Sequence, residues 1–208
     1  LVAERVGATR ERRAADIAHR RFTITGVSEF PNLGEKSLRR PAGAGTARAR
    51  EATAAETPWA PGEAGLPVVR YAQEYEALRD LADAQPERPK VFLATIGPVA
   101  AHTPRATFAA NLFQAGGLAT ETAGPGTDPD QIATAFAISG TTVACLCSSD
   151  RMYEQHAEAV AAALRRAGAH MVWLAGKGHY RGVDGRLHAG CDALEVLRTT
   201  FDALEVAR

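Results

Sequence analysis

The stretch KVFLATIGPVAAHTPRATFAANLFQAGGLATETAG, Lys90–Gly124, decides the fold of this chain. It begins with a short apolar run, Lys90–Ile96, which is typical of a buried strand. A Gly-Pro pair breaks that run, and a Thr-Pro pair then suits the cap and first turn of a helix predicted over Thr103–Ala115. A Gly-Gly pair ends the helix, and Leu118–Ala123 is predicted to form a second strand.

This order of elements, strand–loop–helix–strand, makes His102 the first candidate functional residue. In open α/β sheets the loop at the carboxyl end of a strand usually faces a ligand. His102 falls within the predicted loop Gly97–Thr103, at that end of the first strand.

The rest of the carboxyl-terminal part repeats the alternation of strands and helices. Further strands are predicted at Thr142–Cys147, Met171–Leu174 and Arg186–Ala189, with Thr142–Cys147 in the centre because it is the most apolar. Helices are predicted to open at Asp128-Pro129, at Ser148, Ser149 or Asp150, and at Asp192. We therefore predict a doubly wound, flavodoxin-like α/β fold, a parallel sheet of about five strands with helices on both faces.

The amino-terminal part has a different composition. Leu1–Arg21 is compatible with a helix and Phe22–Phe30 with a strand, and these two elements alone cannot enclose a core. The chain is therefore expected to carry, in residues 1–36, the last part of a larger domain, and the absence of an initiator methionine agrees with this. Residues 37–70 are predicted to be a linker, anchored by Trp59, and residues 71–208 to be the α/β domain.

Composition excludes several functional classes. Lys plus Arg and Asp plus Glu each number 24, and a chain with zero formal charge is not expected to bind nucleic acid. No apolar run approaches the ~20 residues of a membrane span, and no apolar signal core follows the amino terminus. The three cysteines suit a reduced, cytoplasmic protein. Cys145 and Cys147 have no second ligand pair, so a metal site is not favoured there.

The strand-end loops leave other kinds of site open. His102, His179, Ser148 and Ser149 could meet at one edge of the sheet as the parts of a nucleophilic site, although no Gly-x-Ser-x-Gly motif is present. The sequence Gly176-Lys177-Gly178 could hold an anion. A flavodoxin-like nucleotide-binding module is a further alternative, disfavoured because no phosphate loop follows the first strand.

Three long segments resemble the methylmalonyl-CoA mutase family. They are ITGVSEFPNLGE at Ile24–Glu35, RATFAANLFQAGG at Arg105–Gly117 and AGCDALEVL at Ala189–Leu197. The resemblance covers the whole chain. It implies that residues 1–36 are the carboxyl-terminal remnant of a TIM-barrel domain. It also implies that residues 71–208 form an α/β domain like those that bind cobalamin.

The resemblance assigns positions for the cofactor. Cobalamin-binding members carry Asp-x-His-x-x-Gly after the first strand, then Ser-x-Leu, then Gly-Gly, and the histidine ligates cobalt. His102 takes the ligand position, which makes it the candidate metal ligand, and Ser148 and Gly176 take two further cofactor-binding positions.

The same motif is broken at four places, one of them Ala175, which stands at the first position of the Gly-Gly pair. Ala100 stands where the family has the aspartate, Arg105 where it has the glycine, and Asp150 where it has the leucine. Alanine cannot orient the imidazole, a role that counts heavily in metal affinity. Arginine adds bulk and charge where glycine would let the corrin approach. These departures predict that His102 is a relic or a loop anchor and not a cobalt ligand.

This pattern resembles the small subunit of the heterodimeric bacterial mutases, which keeps the fold without the cofactor. The resemblance implies a non-catalytic, cytoplasmic chain that pairs with a large subunit. The large subunit would bind adenosylcobalamin, and the acyl-CoA substrate would be met only through the complex, which interconverts methylmalonyl-CoA and succinyl-CoA. The alternative within the family is a competent cobalamin-binding domain that uses His102 as its cobalt ligand.

Overall fold

A computed structural model describes residues 2–35 and 69–206 of the chain. Most of the predicted linker 37–70, with Trp59, lies outside the described residues. The strands are β1 (Lys90–Thr95), β2 (Ala119–Thr122), β3 (Val143–Cys147), β4 (Met171–Ala175) and β5 (Gly185–Leu187). The helices, numbered over the described residues, are α1 (Val2–Ala18), α2 (Gln73–Asp83), α3 (Val99–Ala115), α4 (Pro129–Ser139), α5 (Asp150–Arg166) and α6 (Ala193–Ala203).

The strands form one parallel sheet in the order β2-β1-β3-β4-β5. The order places β3 in the centre, as its apolar sequence predicts, and every residue of β3 is buried. After β1 the chain first forms β2 on one side of β1. It then crosses to the other side of β1, where β3, β4 and β5 follow in order. The point where the strand order reverses therefore lies between β1 and β3. The predicted doubly wound, flavodoxin-like sheet is confirmed.

Alternating side chains of the sheet supply two separate apolar layers. Val91 and Leu93 of β1 pack with α1, α2, α3 and α6, whereas Phe92 and Ala94 of the same strand pack with α4 and α5. Both faces of a parallel sheet need such cover, because neither face can be left to water. None of the helices in the described part of the chain is long and apolar enough to cross a membrane.

Local sequence signals explain two of the helix starts. The Asp128 side chain accepts a hydrogen bond from the Asp130 N–H at 2.9 Å, and Pro129 occupies the first turn of α4. Gly140 ends this helix in the left-handed conformation, with a φ of 71°. Asp192 caps α6 in the same way, accepting from the Glu195 N–H at 2.9 Å.

The predicted strand Phe22–Phe30 is wrong. The segment forms turns, in which the Gly26 N–H donates to the Glu29 carbonyl at 2.7 Å and the Ser28 N–H to the Ile24 carbonyl at 3.0 Å. Gly26 has a φ of 80°, which favours a turn over an extended chain. Alternating apolar residues make a strand only where a neighbouring strand pairs with them, and among the described residues this segment has no such neighbour.

The amino-terminal segment packs on the α/β domain. Ile17 and Ala18 of α1 are buried in the apolar layer that includes α2 and α6. The Tyr75 hydroxyl donates to the Ile17 carbonyl at 3.4 Å, and Arg79 donates to the Asn32 carbonyl at 2.9 Å. These contacts hold residues 2–35 against the sheet domain. The assignment of residues 1–36 to a TIM-barrel remnant stays a prediction.

Candidate functional site

The helix that follows β1 begins four residues earlier than the sequence indicated. It starts at Val99, with Pro98 in an extended conformation before it, so the predicted loop Gly97–Thr103 is largely helical. Pro104 lies inside the helix, where it lacks an N–H, and Thr103 Oγ1 donates to the Val99 carbonyl at 2.6 Å. His102 therefore sits on the first turn of α3 and not in a loop, which corrects the sequence-based placement.

The His102 ring is held inside the protein. Its side chain is buried, with a relative exposure of 7%, and Nδ1 lies 3.2 Å from the Gly97 carbonyl oxygen. In the described part of the chain, this backbone carbonyl is the hydrogen-bond partner of the ring. The hydrogen bond ties the first turn of α3 to the end of β1, which is an anchoring contact.

Ser148 joins the two strands on either side of the point where the strand order reverses. Its Oγ donates to the Ile96 carbonyl at 2.6 Å, and its residue exposure is zero. Its N–H donates to the Tyr153 hydroxyl at 2.8 Å. The serine closes the gap between the carboxyl ends of β1 and β3, so its hydroxyl is directed at protein and not at a ligand.

Tyr153 of α5 extends this closure to β4. Its hydroxyl oxygen lies 2.9 Å from the carbonyl oxygens of both Leu146 and Ala175. Burial raises the pKa of this hydroxyl well above its usual range, so it stays protonated and serves as a neutral bridge between the two strand ends. Tyr180 packs on the ring at a centroid distance of 5.9 Å.

Arg105 of α3 lies across the same edge of the sheet. Its Nη1 donates to the Ser148 carbonyl at 2.8 Å, and its Nη2 pairs with the Asp150 carboxylate at 2.7 Å. The guanidinium carbon stands 5.1 Å from the centre of the Tyr153 ring. Two of the residues that depart from the family motif, Arg105 and Asp150, therefore form an ion pair with each other, with their charges balanced.

Gly176 faces this arginine network. A methyl group added at Gly176 would lie 3.2 Å from Arg105 Nη1 and 3.4 Å from Tyr153 Cε2. The space beside the glycine, which a cofactor would need, is filled by these two side chains. A cavity of about 360 Å³ remains next to it, lined in part by Arg105, Lys177 and His188. A corrinoid does not fit this edge of the sheet as it stands.

The other sequence-based candidates are not brought into a catalytic arrangement. Ser148 Oγ bonds a carbonyl and not a histidine, and His179 contacts Arg186 on β5. The Sγ atoms of Cys145 and Cys147 are 3.9 Å apart in the buried core. Within residues 2–35 and 69–206, no group of three or more potential metal ligands is present.

The arginine network could be recognised only in part from the sequence. Arg105 and Asp150 are visible as departures from the family motif, but their contact joins residues 45 positions apart. Tyr153 carries no motif signal. The sequence offers one hint. Arg105 lies in the alanine-rich helix α3, and Asp150 is the first residue of α5, the second helix after it.

The comparisons with known proteins agree with each other. The chain is 50% identical over 211 aligned residues to a methylmalonyl-CoA mutase small subunit from Streptomyces virginiae, a match that covers 100% of this chain and 32% of that protein. It is 41% identical to a probable methylmalonyl-CoA mutase small subunit from Mycobacterium tuberculosis, over 79% of this chain and 24% of that protein. It is 36% identical to the methylmalonyl-CoA mutase small subunit of Propionibacterium freudenreichii subsp. shermanii, over 94% of this chain and 30% of that protein. The chain therefore spans about a third of the length of these relatives or less. No protein-family model matches it.

Proposed function

This chain is a homologue of the methylmalonyl-CoA mutase small subunits, and on that premise we propose that it is the non-catalytic, cofactor-free part of such a subunit. It pairs with a large subunit and stabilises it. The large subunit binds adenosylcobalamin, and the complex interconverts methylmalonyl-CoA and succinyl-CoA. This chain contributes an interface and no catalytic residue.

The filled edge of the sheet carries this proposal. Ligands of doubly wound sheets bind where the strand order reverses, at the carboxyl ends of the strands. In this chain Ser148 bonds Ile96 across that point, and Arg105 covers the adjacent ends of β3 and β4. Each of these contacts would have to break before any part of a cobalamin could enter between the strand ends.

The chemistry of His102 supports the same conclusion. A cobalt ligand needs an accessible ring nitrogen, and a supporting carboxylate usually orients it. The His102 side chain is buried against the end of β1, and Ala100 offers no carboxylate. Histidines that ligate a metal often bond a backbone carbonyl through their other ring nitrogen, and His102 Nδ1 makes such a contact. Cobalt ligation by His102 is therefore the rival function, and it needs a direct test.

A spectroscopic titration tests the proposal. Hydroxocobalamin is added to the purified chain, to His102→Ala and to the motif-restoring variant Ala100→Asp/Arg105→Gly/Asp150→Leu. We expect the wild-type chain and His102→Ala to leave the cobalamin spectrum unchanged at micromolar cofactor. A stoichiometric spectral change that needs His102 would overturn the proposal and establish the rival function. The restored variant tests whether Arg105 and Asp150 are the obstacle.

A further inference from the structure

Residues 17–32 leave the end of α1 and cross the α/β domain in contact with several of its elements, and we call them the strap. The Ile17 carbonyl accepts a hydrogen bond from the hydroxyl of Tyr75 on α2, and Tyr75 is fully buried. His19 Nδ1 lies 3.0 Å from the carbonyl oxygen of Gly190, shortly before α6. The strap therefore begins with contacts to two separate parts of the domain.

Arg20 has a backbone conformation that usually belongs to glycine. Its φ is 55°, and its N–H donates to the Ile17 carbonyl at 3.0 Å, while the Arg21 N–H donates to the Asp16 carbonyl at 2.8 Å. These bonds end α1 at a left-handed residue, a position at which glycine avoids the steric cost of a Cβ atom. An arginine at this position therefore needs side-chain contacts that offset the cost.

The Arg20 side chain makes such contacts by joining the strap to α3. It is 11% exposed, and its Nη2 donates both to Glu29 Oε1 at 3.0 Å and to Asn111 Oδ1 at 2.5 Å. Its guanidinium carbon lies 5.8 Å from the centre of the Phe108 ring. Glu29 belongs to the strap, whereas Asn111 and Phe108 belong to α3. Arg20 therefore closes the strap on itself and fastens it to the α/β domain.

The turns that follow Arg20 add an attachment to α2. Ile24 and Val27 pack against the apolar layer of the α/β domain, and Ser28 is fully buried, with its Oγ accepting from the Ile24 N–H at 2.9 Å. Arg79 of α2 donates to the Asn32 carbonyl at 2.9 Å. All these contacts join described residues to one another, so no other part of the polypeptide is needed to complete them.

The chain comes back to the strap after residues 36–68. Phe22 of the strap packs edge-on against the ring of Tyr71, at a centroid distance of 5.8 Å, and Tyr71 lies just before α2. The residues on either side of 36–68 are therefore attached to the same body, whatever conformation residues 36–68 adopt. A segment whose two ends are fixed to one body cannot serve as a hinge between two bodies.

We propose that the strap, fastened by Arg20, fixes α1 to the α/β domain, so that residues 36–68 form a closed loop and not a hinge. Movement of α1 relative to the sheet then requires the release of Arg20 from Glu29 and Asn111. This inference goes beyond the proposed function and does not rest on it, because every contact that carries it lies within this chain.

Cutting the loop tests the proposal. A recognition site for a sequence-specific protease, flanked by Gly and Ser, is inserted between Gly45 and Thr46. The chain is immobilised through a carboxyl-terminal tag and cleaved to completion, so that noncovalent contacts alone hold the strap. Loss of the amino-terminal piece during washing is followed by denaturing electrophoresis. We expect the wild-type piece to stay bound, and hydrogen exchange at residues 22–32 to be unchanged by the cut.

Two neighbouring arginines provide the variant and its matched control. Arg20→Gly removes the side chain and places at this position the residue that best tolerates the left-handed conformation. Arg21→Ala removes an exposed arginine that pairs with Asp16 of α1. Because hydrogen bonds to charged groups inside a protein are among the stronger ones, Arg20→Gly should release the amino-terminal piece about tenfold faster than the wild type. Arg21→Ala should match the wild type within about threefold.

Two results would overturn the inference. Release of the wild-type piece as soon as the loop is cut would show that the covalent connection alone holds the strap. Release from Arg20→Gly at the wild-type rate would show that Arg20 does not fasten it. If uncleaved Arg20→Gly fails to fold, hydrogen exchange in the wild type decides: faster exchange at residues 22–32 after the cut contradicts the inference, and unchanged exchange supports it. These measurements involve neither the large subunit nor cobalamin, so their outcome leaves the proposed function unaffected.

Discussion

The substitution Tyr153→Phe tests whether the closed edge of the sheet is a source of stability. It removes one hydroxyl and keeps the ring, so the contacts of that ring with Arg105 at 5.1 Å and with Tyr180 at 5.9 Å are retained. The Ser148 N–H, 2.8 Å from the hydroxyl, loses its acceptor inside the core. The carbonyls of Leu146 and Ala175 lose the donor that they share.

The expected magnitude follows from these contacts. A buried polar group left without a partner costs about 1–3 kcal/mol, and here at least one donor and one acceptor are affected. We therefore expect the free energy of unfolding to fall by about 2–4 kcal/mol, which lowers Tm by about 5–15 °C for a domain of this size. Urea unfolding followed by circular dichroism measures the first quantity, and calorimetry measures the second.

Tyr180→Phe is the matched control for this substitution. Its hydroxyl makes no hydrogen bond in the described structure, so its removal should change the free energy of unfolding by no more than about 0.5 kcal/mol. If Tyr153→Phe and Tyr180→Phe are equally stable, the hydroxyl does not hold the strand ends together, and the argument for a closed edge fails.

Two further predictions concern the fold. Gly185 lies opposite Trp173 in the sheet, and a Cβ there would meet the indole ring at 2.2 Å, so Gly185→Ala should destabilise by about 1–3 kcal/mol. Gly126→Ala, where the added methyl meets nothing within 4 Å, should be close to neutral in the same urea titration. Burial raises the pKa of Tyr75 from 10.0 to about 12, so the folded protein keeps a proton that the unfolded chain releases. The stabilisation that Tyr75 contributes should therefore be fully present below pH 10, and the free energy of unfolding should fall between pH 10 and 12. A Tyr75→Phe variant whose free energy of unfolding falls as steeply as that of the wild type over this range would contradict the assignment.

The strands and several helix ends could be predicted because their signals are local. The apolar runs of β1, β3 and β4 can only be buried, and Asp128 with Pro129 marks a helix start by its own chemistry. The start of α3 was missed because Pro98 makes no side-chain cap bond and because a Gly-Pro pair indicates a loop. The first turn of the helix is tied to the residue Gly97, just after β1, by the His102 side chain, a contact that no local pattern reports.

The candidate site, too, could be predicted from the sequence only in part. The motif positions of His102, Ser148 and Gly176 were available from the resemblance, as was the substitution of Arg105 for glycine. The contacts that these residues make in the folded protein could not be predicted, because each contact depends on which strand ends become neighbours in the sheet. The strand predicted at Phe22–Phe30 failed for the related reason that pairing partners, and not alternation, make a strand.

The cobalt content of the assembled complex tests the central claim most directly. This chain is purified together with the large subunit, saturated with adenosylcobalamin and freed of unbound cofactor, and cobalt is then measured per pair of chains. An edge of the sheet filled by Arg105, Tyr153 and Ser148 predicts a single cobalt per pair, with no change on His102→Ala. Two cobalt atoms per pair, the second lost in His102→Ala, would show that this chain binds the cofactor after all.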